Sequence, residues 1–372
     1  MLGCLRDQGE GQWTRNDSVR SFRRWRYDNP ADKRLDQHCH HDGAHHDAFD
    51  FFRCPLQPLR VRELCHEIAD SNVLFVGDSL QVHFYLAFFM FLRPDVNTTR
   101  HLGLPKSDTT RMPSLTVCEE FVPGGVQLDM LREDWLTIPP GRGKDGAPAS
   151  LSGAPSISHS RGGWLKHLAT KDRGWARNRS TLLILTAGSH IWPRKIFIPH
   201  LRRVVDALGN RSASAPRVRV VLRNSIAGHL ECSIARRALI SSMPEVDRDA
   251  GRFIALAEAS NATQLANLSS FAQFWEEKAY HQYHWDLVNE MRPEIDDMFR
   301  AAGFFVLNAD ASAKLRPDLH PGEVGPGRYD CLHYCPSGPV YAAWALTLAN
   351  MIDQWGAFRA VHTVAESEKL GE

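Results

Sequence analysis

Four short, apolar runs constrain this chain more than any other feature. They are Ser71–Val76 (SNVLFV), Thr181–Thr186 (TLLILT), Arg217–Leu222 (RVRVVL) and Gly303–Leu307 (GFFVL). Each has the length of a strand and shows little polar alternation, the pattern of strands buried on both faces. Segments of helical character separate them. Leu80–Leu92 is an apolar helix stopped by Pro94, and Ile196–Leu208 fits a crossover helix. Tyr283–Ala302 fits an amphipathic helix with Pro293 as a kink or local break, and Val340–Trp355 a final helix. Val126–Leu131 reads as a further strand. Strand–helix alternation of this kind predicts an α/β sandwich with a mainly parallel sheet. Such sheets place their sites at the carboxyl ends of the strands.

The 372 residues suffice for one large domain or two small ones. The expected organisation is a polar, cysteine-containing N-terminal wrap over 1–55, one α/β domain over 56–360, and a C-terminal tail over 361–372. Residues 139–163 are rich in Gly, Pro and Ser and read as a flexible insertion. Lys and Arg total 44 against 43 Asp and Glu, a formal charge of +1. That balance supplies no basic field for nucleic acid or an anionic membrane, so neither is expected as a partner. The most apolar stretch, His83–Leu92, is about half the roughly 20 residues that span a bilayer, and predicts a buried helix.

Cysteines and sequons point to an oxidising compartment. The eight Cys are an even number, which suits disulfides. Asn16, Asn97, Asn178, Asn210, Asn261 and Asn267 all stand in N-x-S/T. Those are six of twelve Asn, where chance gives roughly one. The expectation is a lumenal or secreted glycoprotein whose targeting segment or anchor is missing from this sequence.

Two motifs carry chemistry. Gly77-Asp78-Ser79-Leu80 follows the first strand directly and places Ser79 at a helix start. There the Ser79 N–H can stabilise an oxyanion, aided by the helix dipole. The alternative is an ordinary N-capping serine. About 250 residues later stands Asp330-Cys331-Leu332-His333-Tyr334-Cys335. An Asp three residues before a His can orient the imidazole while the other ring nitrogen faces a nucleophile. The alternative is a zinc site on Cys331, His333 and Cys335, which lacks a second ligand pair at metal spacing. The cluster His38, His40, His41, His45 and His46 reads as a solvated loop rather than a metal site. No metal is expected.

With these motifs the chain resembles the SGNH/GDSL hydrolase superfamily. It is more similar to one branch, the trichome-birefringence-like and PC-esterase proteins. The matching pieces are Cys4 with Gly11-Gln12-Trp13, Phe52-Arg53-Cys54-Pro55, Val76–Leu80 and Leu131–Leu136. Further on come Gly188-Ser189-His190, Arg223-Asn224, Gly228-His229 with Cys232, Leu315–Pro321, Asp330–Cys335, Gly338-Pro339-Val340 and Trp344. They run in the family's order over nearly the whole chain.

The resemblance implies an SGNH-type three-layer sandwich. Its implied function is an O-acetyltransferase moving an acetyl group to a hydroxyl of a cell-wall or secreted glycan. The implied setting is the Golgi lumen or the cell surface. Carried over by motif, Ser79 is the nucleophile, His333 the general base and Asp330 its orienter, with a covalent acyl-serine between them. No cofactor is implied as bound; an acetyl donor such as acetyl-CoA is a co-substrate. A carbohydrate acetyl esterase and a non-catalytic glycan-binding relative are the alternatives.

The chain departs from the family at several points. Thr186 stands where the superfamily often has an oxyanion-hole Asn. Gln81-Val82-His83 and Cys335-Pro336-Ser337-Gly338 also differ, which weakens a xylan-type substrate assignment. Gly124-Gly125 is either an oxyanion N–H donor, through Gly125, or a hairpin turn. Gly188, His190, Arg223 and His229 are candidate contacts to acceptor or donor, with loop hydrogen bonding as the alternative. Trp192 is a candidate sugar-stacking face. Arg316, Asp318 and His320 read as loop braces. The expected pairings are Cys331–Cys232, Cys335–Cys39, Cys4–Cys54 and Cys65–Cys118, which would hold the DxxH loop rigid.

Overall fold

A computed structural model describes residues 11–15, 47–51, 60–93, 112–134, 180–187, 194–214, 218–229, 285–316, 319–325 and 328–369, with a few isolated positions between them. The expected insertion at 139–163 lies outside the described residues, as do Asn16, Asn97, Asn178, Asn261 and Asn267.

The apolar runs all become strands. They are β3 (Ser71–Gly77), β6 (Ser180–Thr186), β7 (Val218–Arg223) and β8 (Phe305–Leu307). β5 (Val126–Arg132) joins them, and β4 (Leu115–Val117) adds an edge. The six-stranded sheet has the order β4-β5-β3-β6-β7-β8. β4 alone runs antiparallel, against β5; every other pairing is parallel. The protein is therefore α/β with a mostly parallel sheet. A short ribbon of β1 (Gly11–Arg15) and β2 (Asp47–Phe51) pairs separately, as does one of β9 (Gly322–Gly325) and β10 (Arg328–Asp330).

Side chains of each strand alternate between two cores. Val73, Phe75, Leu182 and Ile184 face one side; Leu74, Val76, Leu183 and Leu185 face the other. Period-two geometry splits each apolar run in this way, and two buried faces explain why the runs lack polar alternation. The first face is covered by α1 (Val61–Glu67), α2 (Ser79–Leu92) and α6 (Pro339–Lys369). The second is covered by α3 (Arg194–Ser214) and α4 (Trp285–Ala301). α2 is apolar all round, and twelve of its fourteen residues are buried. Phe75 anchors it, with Phe84 and Tyr85 edge-on at 5.5 and 5.6 Å between centroids. Truncating such a buried Phe to Ala typically costs about 3–5 kcal/mol.

Some elements differ from expectation. α4 continues through Pro293 as one helix. α6 runs to Lys369 rather than Trp355, through Ala- and Glu-containing sequence free of proline. The short α1, β4 and α5 (Ala309–Ala313) were not anticipated, being too brief to show a period. The β1–β2 ribbon lies beside α5 and α6. Among the described residues no helix is long and apolar enough to cross a membrane.

The order of the parallel strands locates a crevice. From β3 the chain moves outward to β5, then returns to the other side of β3 to lay down β6, β7 and β8. The carboxyl ends of β3 and β6 therefore flank a topological switch point, where open parallel sheets form their sites.

Candidate active site

At the carboxyl end of β3 the chain turns sharply through Gly77 and Asp78 into α2. Asp78 is the N-cap, and its Oδ1 accepts the Gln81 N–H at 3.2 Å. No side chain fits at position 77: a Cβ there would lie 2.9 Å from Gln81 Cβ and would collide with Thr186. Ser79 thus occupies the first residue of α2, where backbone N–H groups have no intrahelical partner.

The turn rests on a buried polar frame. Arg223, at the end of β7, is fully buried. Its Nε donates to Gln81 Oε1 at 2.8 Å, and its Nη2 donates to Thr186 Oγ1 at 3.0 Å and Asp78 Oδ1 at 3.5 Å. Its guanidinium also stacks over Trp344, 4.9 Å from the ring centroid. Gln81 Nε2 donates to Ile184 O at 3.1 Å, closing the frame against β6. Burial pushes the Arg223 pKa down, while the Asp78 carboxylate opposes that shift.

The DxxH loop follows β10. Asp330 uses both oxygens. Oδ1 accepts the main-chain N–H groups of Leu332 and His333, at 3.1 and 2.9 Å, which folds the loop around the carboxylate. Oδ2 lies 2.8 Å from His333 Nδ1. An ionised carboxylate only accepts, so Nδ1 carries the proton and Nε2 is left as acceptor. Nε2 stands 2.6 Å from Ser79 Oγ, across 254 positions of sequence. Burial opposes the Asp330 charge. The His333 charge and the three hydrogen bonds outweigh it and hold Asp330 well below the usual carboxylate range. Burial likewise pulls His333 down, but the Asp330 charge and hydrogen bond outweigh it and raise its pKa.

His83 was noted in the sequence only as a departure from the family, yet it backs this pair. It lies one helical turn beyond Ser79, so both residues share one face of α2. Its ring is buried and meets His333 edge-on, and its Nδ1 lies 3.3 Å from the Tyr341 hydroxyl. Burial, then the charge of His333, pushes His83 down to about 3. The spacing of four from Ser79 was the available signal.

The structure brings Ser79, Asp330 and His333 together. It does not bring Gly125 to them. Gly125 precedes β5, which runs parallel to β3, so it lies at the opposite end of the sheet from Ser79. Its N–H donates to Val122 O at 2.9 Å, with φ at +64°, as in the turn reading. Thr186 lies beneath the Gly77 turn, fully buried, and accepts from Arg223. That burial leaves its hydroxyl no exposed surface from which to reach a substrate oxygen. Arg223 and His229 show the hydrogen bonding given as their alternative role. Arg223 is bonded within the frame, and His229 is bonded to His320 and Lys314 O. Gly188, His190 and Trp192 lie outside the described residues.

The Cys65–Cys118 pairing is present as expected. Cys331 and Cys335 are both disulfide-bonded, so neither supplies a thiolate to a metal. The pairings proposed for Cys4, Cys39, Cys54 and Cys232 lie outside the described residues. Among the described residues no group of three or more His, Cys, Asp or Glu could hold a metal ion. No protein-family model matches the chain, and no curated protein matches it.

Proposed function

We propose that the chain is a serine acyl enzyme of the SGNH/GDSL type. We read it as an O-acetyltransferase that moves an acetyl group to a hydroxyl of a secreted or cell-wall glycan. The observation that carries the reading is the chain of contacts Asp330 Oδ2, His333 Nδ1, His333 Nε2 and Ser79 Oγ, at 2.8 and 2.6 Å. The resemblance in motif order supports it, as does the switch-point position of Ser79.

In this reading His333 Nε2 takes the Ser79 proton as Oγ attacks the acetyl carbonyl. The Ser79 N–H and the α2 dipole stabilise the resulting oxyanion. Asp330 stabilises the imidazolium that forms. His333 then returns its proton to the leaving group, giving acetyl-Ser79. A glycan hydroxyl, deprotonated by the same Nε2, attacks the ester. The acetyl group transfers, and the proton passes through His333 back to Ser79. An activated thioester such as acetyl-CoA is the proposed donor. Cys65–Cys118 supports a secretory-pathway location, because disulfides persist in oxidising compartments.

Hydrolysis is the second reading. The His333 side chain is 22% exposed, which gives water a route to the acyl-serine. One experiment addresses both. Wild type and Ser79→Ala are exposed briefly to p-nitrophenyl acetate and weighed intact. A single acetyl adduct on Ser79, absent from the variant, is expected. Faster loss of that adduct with added oligosaccharide, with acetylated sugar formed, marks a transferase. Loss to water alone marks an esterase. No adduct, or the same adduct in both proteins, overturns the acyl-serine reading.

A further inference from the structure

The His333 loop is held from behind by a second histidine pair that the acyl-transfer reading does not use. His229 donates its main-chain N–H to Cys331 O at 2.9 Å, and Cys335 N–H donates to Leu319 O at 3.0 Å. Between these two ties, the His333 carbonyl lies 2.7 Å from His320 Nδ1. His320 Nε2 faces His229 Nδ1 at 2.7 Å, and His229 Nε2 lies 3.0 Å from the Lys314 carbonyl.

Counting protons decides the state of this chain. Carbonyl oxygens only accept, so His320 Nδ1 and His229 Nε2 must both carry N–H. If both rings were neutral, the two inner nitrogens would present lone pairs to each other at 2.7 Å. A third proton between them turns that contact into an N–H···N hydrogen bond. Tyr334 says which ring holds it. Its hydroxyl donates to Ala313 O at 2.9 Å, so toward His229 Nδ1, at 3.5 Å, it can only accept. A proton on His229 Nδ1 meets acceptors on both sides, His320 Nε2 and the Tyr334 oxygen. His320 is the neutral partner, stacked on Tyr334 with 4.4 Å between centroids. Asp330 and His333 are the other titratable groups acting on His320. Burial, then the neighbouring His229, pushes His320 down to about 3, which agrees with a neutral ring there.

We propose that His229 and His320 form a proton-sharing pair, and that the Nδ1–H of His320 sets the position of His333 through its carbonyl. Both are positioning residues, and their kinetic role rests on the acyl-serine reading. His320 is held in the Nδ1–H tautomer, and His229 bears the positive charge. Through the 2.7 Å bond the pair fixes the backbone from which the His333 imidazole projects toward Ser79.

Two measurements on the full chain test this. The first is a long-range proton–nitrogen NMR correlation on histidine-selectively ¹⁵N-labelled wild type at neutral pH. Signals are assigned with His229→Gln and His320→Asn. A neutral, Nδ1-protonated His320 beside a doubly protonated His229 is expected. A proton on His320 Nε2 overturns the proposal. The second is acylation by p-nitrophenyl acetate. His320→Asn keeps an N–H at the Nδ1 position, whereas His320→Gln keeps a group at the Nε2 position and loses that donor. His320→Asn should keep kcat within about 3-fold. His320→Gln and His320→Ala should lose about 10- to 100-fold in kcat, with KM little changed. Equal rates in all three variants, or an Asn variant as slow as the Ala variant, overturn it. Wild type that takes no acetyl on Ser79 would end the acyl-serine reading. The NMR measurement would still decide the pair.

Discussion

The imidazoles of His83 and His333 meet at 64° with their centroids 5.5 Å apart. The buried ring of His83 forms the wall against which His333 is set before Ser79. Truncating it to Ala opens space behind a ring whose placement governs proton transfer, and a shift of about 1 Å can cost on the order of 100-fold in rate. His83→Phe keeps an aromatic ring and gives up the 3.3 Å contact to Tyr341. Acylation by p-nitrophenyl acetate should therefore fall about 10- to 100-fold in the Ala variant and by less than about 3-fold in the Phe variant. The reverse ranking would mean that the imidazole nitrogen matters, not the wall.

The Asp330 carboxylate and its bond to Nδ1 raise the His333 pKa above its ordinary 6.5. Acylation needs Nε2 unprotonated, so its rate is low below that pKa and rises through it with pH. Asp330→Asn removes the raising charge. The rising limb of the pH–kcat/KM profile then moves to lower pH, while the plateau drops roughly 10,000-fold because the tautomer is no longer enforced. A limb that stays in place would show that Asp330 does not govern the titration of His333.

Arg223 is a fully buried cation whose only carboxylate partner among the described ion pairs is Asp78. Breaking a buried ion pair by removing one member typically costs about 3–5 kcal/mol. Arg223→Met should lower the urea midpoint accordingly, and Arg223→Lys should not restore it, since an ammonium cannot reproduce the fork to Gln81 and Thr186. Adding Asp78→Asn to Arg223→Met should recover part of the loss. A double variant no better than the sum of its singles would separate Arg223 from Asp78.

The Cys65–Cys118 bridge closes a loop of 53 residues that includes the whole of α2. Closing a loop of that length restricts the unfolded chain, and removing the bridge should cost about 2–4 kcal/mol. The Cys65→Ala/Cys118→Ala double variant should unfold at lower urea and retain Ser79 acylation, because neither sulfur touches the site. Retained stability would place the bridge's contribution elsewhere.

The sheet was legible because its central strands are buried on both faces. A run such as Thr181–Thr186 is short and apolar without polar alternation, the composition of a parallel strand buried on both faces. α1, β4 and α5 were not legible, since three to seven residues carry no measurable period. Ser79, Asp330 and His333 were legible as residue types in telling positions. Asp330 and His333 even carry their geometry locally, because a carboxylate three residues ahead can bond both the loop backbone and the ring.

Tertiary structure decided the rest, for a single physical reason. Sequence spacing records which residues end a strand or begin a helix, but not which of their atoms water can reach. Arg223 and Thr186 end strands beside the crevice, as substrate contacts would, yet both are sealed beneath the Gly77 turn. Gly125 looks suitable as a backbone donor until the parallel direction of β5 sends it to the far end of the sheet. His229 meets His320 across 91 positions, and Ser79 meets His333 across 254. Local chemistry wrote the individual groups into the chain. Burying both faces of one sheet brought them within hydrogen-bond reach.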